Sequence, residues 1–162
     1  RSERDKVDYV KWHRQGHVIF TPGDVCDYNY IKQKIRDLSE LYDIKMIAYD
    51  RWNASQIVID LTEEGCPMIP VGQGYRTMSP ATKEFETLIL SGNIRHAGNP
   101  VLRWMMSNVV LTEDPAGNVK PNKGKSSDKI DGIVSVLMGL SQSMKNKNQG
   151  GTGYDSKEIF FI

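Results

Sequence analysis

A strand–helix–strand pattern between residues 44 and 71 constrains the fold of this chain more than any other feature of its sequence. Residues 44–49 form a short apolar run with branched and aromatic members, which is typical of a strand buried on both faces. A helix is then predicted by apolar residues that recur at the spacing of one helix face: Ala54, Ile57, Val58 and Leu61. A second apolar run follows at residues 67–71. The pattern predicts two parallel strands joined by a right-handed crossover, and therefore an α/β fold.

Asp50 stands directly after the first of these strands. Open α/β sheets place their functional residues at the carboxyl ends of parallel strands, which makes Asp50 a candidate catalytic residue. An aspartate in this position also often caps the helix that follows. The residues alone leave both interpretations open.

The composition is that of an ordinary globular chain. It has 162 residues, 39% of them hydrophobic, and a net charge of +1, so its size fits one domain. No apolar run approaches the roughly twenty residues of a membrane span, and we expect no membrane partner. Cys26 and Cys66 lie far apart in the sequence, and we expect reduced thiols of a cytosolic protein.

Two further helices are predicted between residues 24 and 92. Asp24 or Asp27 caps the first, whose buried stripe would be Ile31, Ile35, Leu38 and Leu41. The second begins at Ser79, with Pro80 at its first position, and ends at Gly92.

The second half of the chain is predicted to contain two helices and a hairpin. Asn99 and Pro100 start one helix, and the turn at residues 114–118 closes the hairpin. Ser127 or Asp128 caps the last helix, whose buried stripe would be Ile130, Ile133, Val134, Leu137 and Leu140. Trp52 and Trp104 are expected in the core.

The end of the chain has a different composition. Residues 141–153 are rich in Gln, Ser, Lys, Asn and Gly, which is typical of a flexible linker. We therefore predict a folded domain at residues 1–143 and a linker with a C-terminal tail at residues 144–162. Residues 158–162 are apolar enough to dock on the domain.

A second candidate acid, Asp131, lies in the first turn of the last predicted helix. A helix start favours a carboxylate through its dipole, so a structural role also explains this residue. Together, Asp50 and Asp131 are the minimum for binding a divalent cation through oxygen ligands. A two-metal site that cleaves phosphodiesters usually needs a third acid, and the sequence offers none at a strand end.

Four lysines precede Asp131, against the single acid Asp128, and they are Lys120, Lys123, Lys125 and Lys129. They suit contacts with DNA phosphates, which are salt-sensitive and independent of sequence. A solvated loop explains a lysine run equally well, and both interpretations stay open.

A series of short motifs runs in order from about residue 9 to residue 140. It comprises Tyr9-x-x-Trp12, Gly16, Thr21-Pro22-Gly23, Tyr49-Asp50-Arg51-Trp52, Gln73-Gly74, His96-x-x-Asn99-Pro100-Val101-Leu102-x-Trp104-Met105, Ser107-Asn108, Lys123 and Lys129-Ile130-Asp131-Gly132-Ile133. Together they resemble the nuclease part of a tailed-phage terminase large subunit.

The resemblance implies an RNase H-like fold, with a mixed sheet flanked by helices, and a metal-dependent endonuclease that cuts concatemeric double-stranded viral DNA during packaging. It implies Mg²⁺ or Mn²⁺ held by Asp50 and Asp131, with Asp128 as the fallback for the second acid. His96 and Gln73 become candidates for positions near the site. The expected partners are the terminase small subunit and the portal protein, and the expected location is the host cytoplasm.

The sequence departs from the family in two respects. It has no G-x-x-x-x-G-K-[ST] motif, so we expect this chain to comprise at most the nuclease part, without the family's ATPase domain. The family's first catalytic Asp lies upstream of the Tyr-x-x-Trp region, and we expect this chain to be N-terminally truncated and to lack it. An exposed sheet edge open to self-association and weak activity of the isolated chain would follow.

Two alternatives to an active endonuclease therefore stay open. One is a catalytically silent remnant that binds DNA or the portal. The other is a Holliday-junction resolvase or transposase of the same fold.

Overall fold

The computed structural model describes residues 2–23, 27–52, 55–148 and 159–161. The chain divides into two compact units, one comprising residues 1–18 and 73–162 and the other residues 19–72. In chain order, the elements are α1 (Ser2–Asp5), α2 (Tyr9–Arg14), α3 (Tyr28–Leu41), β1 (Ile47–Tyr49), α4 (Ser55–Glu63), β2 (Met68–Pro70), α5 (Tyr75–Leu90), β3 (Ile94–His96), α6 (Pro100–Ser107), β4 (Leu111–Glu113), β5 (Val119–Pro121), α7 (Asp131–Asn148) and β6 (Ile159–Phe161).

The smaller unit contains the predicted strand–helix–strand pattern. Strands β1 and β2 pair in parallel, with Ile47 opposite Met68 and Tyr49 opposite Pro70, and α4 connects them. Leu61 of α4 is fully buried, as its place in the apolar stripe predicted. The predicted order of elements and the parallel pairing are confirmed, but the residues of β1 are half-buried rather than buried, and Ala54 of the predicted stripe lies outside the described residues.

Helix α3 of the same unit differs from expectation. Its cap is Asp27, whose carboxylate accepts a hydrogen bond from the backbone N–H of Asn29 at 2.9 Å, whereas Asp24 lies outside the described residues. The predicted burial of its apolar stripe is wrong, because no residue of α3 is buried and Leu41 is 74% exposed. Two ion pairs instead join it to α4 and to the residue that follows α4: Lys32–Asp60 and Arg36–Glu64.

These ion pairs predict an acid-sensitive contact between α3 and α4. Hydrogen bonds from Lys32 and Gln56 lower the pKa of Asp60, and the hydrogen bond from Arg36 lowers the pKa of Glu64. Because both pKa values are lower in the folded chain, the stabilisation is complete above the ordinary carboxyl values of about 4 and is lost as the pH falls through the lowered ones. The urea midpoint should therefore drop between pH 6 and pH 3.

The matched control for this prediction is the double variant Asp60→Asn, Glu64→Gln, which cannot lose these two charges. Its urea midpoint should vary less with pH than that of the unaltered chain. An equal drop in both proteins would show that other carboxylates control the acid response.

The larger unit is built around α5 and α7, which pack against each other, with β5 against α5 and α6 against α7. The predicted stripe of α7 is confirmed, because all of its members are buried: Ile130, Ile133, Val134, Leu137 and Leu140. From α5, Met78 and Ala81 complete this core. Tyr9 and Trp12 of α2 form an aromatic cluster with Trp104 of α6, and the centres of the three rings lie 5.6–6.2 Å apart.

Helix α5 begins earlier than predicted. It starts at Tyr75, with Pro80 inside the helix rather than at its first position. The backbone carbonyl of Gly74 accepts hydrogen bonds from the N–H groups of Thr77 and Met78, which builds the first turn without the proline. Ser79 is buried and accepts a hydrogen bond from the N–H of Val119, so a tertiary contact replaces the expected helix start.

The linker prediction is wrong for residues 141–148, which continue α7 to Asn148. Ser141 and Gln142 are buried, and the Ser141 hydroxyl donates to the carbonyl of Met138 at 2.7 Å. Polar composition indicated a linker, whereas packing of this turn keeps it helical. Residues 149–153 lie outside the described residues.

The strands of the larger unit form one parallel and one antiparallel pair. Strand β6 pairs in parallel with β3, so the apolar end of the chain docks as expected. Strands β4 and β5 form the predicted hairpin, whose turn is held by hydrogen bonds from the side chain and backbone of Asn118 that also lower the pKa of Asp114. Parallel and antiparallel pairs together agree with the predicted mixed α/β class.

The two tryptophans that were expected in the core differ in their exposure. Trp104 is half-buried in the aromatic cluster, but Trp52 is 83% exposed, so its predicted core position is wrong. Within the described ranges, no helix has both the length and the apolar character needed to cross a membrane.

Candidate metal and DNA site

Asp131 lies in the first turn of α7, as predicted, and is the first residue of that helix. The preceding residue, Ile130, is 1% exposed, and its carbonyl accepts the hydrogen bond from Val134 that opens the helix. Buried Ile130 thus fixes the helix start and leaves the neighbouring carboxylate in solvent, where the Asp131 side chain is 60% exposed. The carboxylate Oδ1 accepts a hydrogen bond from Lys123 Nζ at 2.7 Å.

Lys123 lies in a well-defined turn after β5. The side-chain oxygen of Asn122 accepts hydrogen bonds from the backbone N–H groups of Gly124 and Lys125, at 2.9 and 3.1 Å. The backbone N–H of Asn122 donates to the carbonyl of Val110 at 2.9 Å. These contacts fix the backbone on either side of Lys123, while its long side chain reaches the start of α7.

Asn108 supports the same region, and the sequence prediction missed this role. It is 8% exposed, its Nδ2 donates to the carbonyl of Lys129 at 3.1 Å, and its Oδ1 accepts from the Ser127 hydroxyl at 3.2 Å. It therefore ties the end of α6 to the segment that leads into α7. The Ser107-Asn108 motif was the available signal, but an asparagine after a helix also serves as a simple cap, and Asn108 is the C-cap of α6.

Gly132 explains part of the motif around Asp131. A Cβ atom at this position would lie 2.8 Å from the sulfur of Met105 and 3.3 Å from Cδ1 of Leu102. The backbone N–H of Gly132 also points at the Met105 sulfur, at 3.1 Å. Glycine therefore allows α6 to close against the start of α7.

Lys120 is held in a defined position beside this turn. Its Nζ donates to the backbone carbonyl of Gln73 at 3.2 Å and lies 5.0 Å from the centre of the Tyr75 ring. Lys120 and Lys123 line a pocket of about 330 Å³ together with Gln73, Asn122 and Gly124. The structure thus brings Gln73 and two of the four predicted lysines to one pocket.

The remaining predicted residues of the larger unit lie apart from that pocket. Lys125 and Lys129 are exposed. Asp128 accepts a hydrogen bond from the N–H of Lys129 at 2.7 Å and lies three residues before α7, so it does not cap that helix. His96 is exposed on β3, accepts from the N–H of Gly98, and lines a different, apolar pocket of about 410 Å³.

Asp50 belongs to the smaller unit. It directly follows β1, at the carboxyl end of the parallel pair, as the sequence predicted. Its side chain is half-buried, and Oδ1 accepts a hydrogen bond from the backbone N–H of Trp52 at 3.3 Å.

Asp50 and Asp131 fit the expected metal in donor chemistry. Carboxylate oxygens are the ligands that Mg²⁺ prefers in proteins, and they also suit Mn²⁺. The Asp131 oxygen already holds one cationic group, the Lys123 ammonium, and its exposure leaves room for an ion to approach. Among the described residues, no group of three or more His, Cys, Asp and Glu side chains is arranged to hold a metal ion.

The fold and these residues define a mixed α/β domain of the RNase H-like class. The family model for the endonuclease domain of the terminase large subunit matches residues 1–147, and the chain belongs to this family. The expectation from the sequence motifs is confirmed.

Two relatives and one solved structure agree with this assignment. The large terminase subunit of Enterobacteria phage HK97 is 33% identical over 157 residues, which cover 96% of this chain and 31% of the relative. Protein YmfN of Escherichia coli K12 is 32% identical over 145 residues, covering 88% of this chain and 32% of that protein. The crystal structure of the HK97 large terminase matches with a TM-score of 0.81 and 35% identity, over 88% of this chain and 30% of that one. The chain thus spans about a third of the length of these relatives.

Proposed function

We propose that this chain is a metal-dependent endonuclease domain that cuts concatemeric double-stranded viral DNA during genome packaging. Membership of the terminase endonuclease family supports the reaction class. The observation that carries the proposal is the accessible carboxylate of Asp131, fixed at the start of α7 next to a lysine that also lines a polar pocket.

The proposed metal ligands are Asp50 and Asp131, with Mg²⁺ or Mn²⁺ as the ion. Such ions, when bound, activate a water molecule and stabilise the leaving oxygen as a phosphodiester is hydrolysed. The contribution of the chain is to present carboxylate oxygens from a strand end and a helix start. The buried neighbour Ile130 and the tie through Asn108 hold the second of these in place.

The lysines are proposed to bind the DNA backbone. Lys120 has a position fixed by Gln73 and Tyr75, whereas the exposed Lys125 and Lys129 are free to follow the phosphates. Contacts of this kind neutralise phosphate charge without reading bases, so binding should weaken steeply with salt and depend little on sequence.

The wider assignment follows from the family and is part of the same proposal. The terminase small subunit, the portal protein and an ATPase domain would be the partners, and the host cytoplasm would be the location. Self-association through a sheet edge remains a further proposal. Analytical ultracentrifugation of the chain alone and with each partner tests these associations.

The test of the function is cutting of supercoiled plasmid in Mn²⁺, in Mg²⁺ and in EDTA. We expect nicking and linearisation only with metal, and Asp131→Asn should reduce the rate by at least about a hundredfold, beyond the 10–100-fold typical of residues that only support a metal ligand. The matched control is Asp128→Asn, which removes a neighbouring carboxylate and should cut normally.

Other results would contradict parts of the proposal. Cutting in EDTA would refute metal dependence. Loss of cutting in Asp128→Asn but not in Asp131→Asn would move the second ligand to the fallback residue.

A catalytically silent DNA- or portal-binding domain is the second candidate. It is favoured by one observation, the lack of a group of three metal-binding side chains within the described ranges. Binding of linear duplex DNA without cutting in either metal, and equally in Asp131→Asn, would support it over the endonuclease.

A further inference from the structure

We propose that the Lys123 ammonium acts as a counter-cation on Asp131 that a divalent ion displaces, and that the displaced lysine then binds DNA phosphate in the adjacent pocket. Lys123 would thus couple metal binding to backbone binding. The inference rests on the proposed function in one respect, the role of Asp131 as a metal ligand.

Lys123 and Asp131 form an exposed ion pair. Lys123 Nζ lies 2.7 Å from Asp131 Oδ1, on the oxygen that an ion would need. The two side chains are 57% and 60% exposed, so the pair can open without disturbing the core. Exposed ion pairs are weak, and an ion with two charges should compete effectively for the carboxylate.

Once released from Asp131, the Lys123 ammonium can reach the adjacent pocket. Its backbone is fixed by the Asn122 turn, but its four-carbon side chain is flexible. Besides Asp131, its surroundings include the pocket lined by Lys120, Gln73 and Asn122. Lys120 is already positioned there by the Gln73 carbonyl and the Tyr75 ring. A released Lys123 would provide the second positive charge that a phosphate group in this pocket favours.

A bound divalent ion would change the net charge that the two pocket lysines present to DNA. Without a divalent ion, the Asp131 carboxylate neutralises the charge of Lys123. The other lysine of the pocket, Lys120, does not pair with Asp131. With the ion on Asp131, both lysines can face the phosphate. The coupling is reciprocal by thermodynamic necessity, so DNA should also strengthen metal binding.

The first experiment measures Mn²⁺ affinity of the full chain without DNA, by isothermal titration calorimetry. Lys123→Met removes the competing ammonium and should bind Mn²⁺ about two- to fivefold more tightly, because an exposed ion pair holds little free energy. The matched control is Lys125→Met, which removes one charge from the same turn and should have a smaller effect. Asp131→Asn should weaken binding strongly.

The outcomes separate the inference from the proposed function. Equal affinities for Lys123→Met and Lys125→Met, with binding weakened in Asp131→Asn, would overturn the inference alone. Unchanged affinity in Asp131→Asn would overturn the ligand assignment and the inference with it.

The second experiment measures the salt dependence of binding to a short DNA duplex, with EDTA or with Ca²⁺, which takes the same oxygen ligands. In Ca²⁺, the unaltered chain should show a slope of log K against log salt that is steeper than that of Lys123→Met by about 0.9, the value for one phosphate contact. In EDTA the two slopes should agree, because Lys123 is held by Asp131. An equal difference in both conditions would overturn the coupling.

Discussion

Asp50→Asn is expected to abolish metal-dependent DNA cutting while leaving the fold intact. The substitution keeps an oxygen that can accept the hydrogen bond from the N–H of Trp52, but it removes the negative charge with which the carboxylate attracts a divalent ion. We expect the cutting rate to fall by at least about a hundredfold, as for Asp131, since both are proposed ligands. The free energy of unfolding should change by less than about 0.5 kcal/mol. Plasmid cleavage and urea unfolding measure the two quantities.

The matched control for this prediction is Asp43→Asn in the same unit. Asp43 is 77% exposed and pairs with Lys45, so this variant also loses one carboxylate charge but should keep normal cutting. If Asp50→Asn cuts as fast as the unaltered chain, Asp50 is a strand-end cap without a role in metal binding. If both variants lose cutting, a general effect of charge in this unit explains the result.

Leu137→Ala is expected to destabilise the larger unit by about 2–5 kcal/mol, the usual cost of a large-to-small change in a packed core. Leu137 lies in the middle of α7 and is 1% exposed. The cavity would lie between α7 and the elements packed on it, including α5. Urea unfolding followed by tryptophan fluorescence is a suitable measurement, because Trp12 and Trp104 pack together within this unit.

The control for Leu137→Ala is Leu90→Ala, the same chemical change at the last residue of α5. Leu90 is 81% exposed, so its truncation should change stability by less than about 0.5 kcal/mol. Both changes replace leucine by alanine in a helix, and the difference between them therefore reports burial. Equal effects would show that Leu137 is not part of a packed core in solution.

Features set by neighbouring residues could be predicted from the sequence. The Asn99 cap is one example, since its side-chain oxygen accepts hydrogen bonds from the N–H groups of Val101 and Leu102. The periodic stripe of α7 and the turn at Asp114 are others. The cap and the turn depend on contacts within a few residues, and the spacing of the α7 stripe repeats every three or four residues, so the residue types report these features directly.

Features set by distant contacts could not be predicted in this way. Pro80 indicated a helix start, but the helix begins at Tyr75, after the cap at Gly74. The Ser79 hydroxyl instead accepts a hydrogen bond from the N–H of Val119, forty residues away. Residues 141–148 have the composition of a linker, yet Ser141 and Gln142 are buried as α7 continues. Apolar spacing in α3 indicated burial, but no residue of α3 is buried, and its Lys32 forms an ion pair with Asp60 of α4.

The candidate site divides along the same line. The sequence alone determined where the candidate acids lie, with Asp50 directly after a strand and Asp131 in the first turn of a helix, because these positions follow from local periodicity. It also placed four candidate lysines before Asp131. Only the tertiary structure decided which lysine contacts the acid. Lys123 was one of four equivalent candidates until the Asn122 turn and the buried start of α7 brought its ammonium to Asp131. A contact between side chains eight residues apart, across a turn and a helix start, depends on how those two elements pack, and residue spacing does not encode that packing.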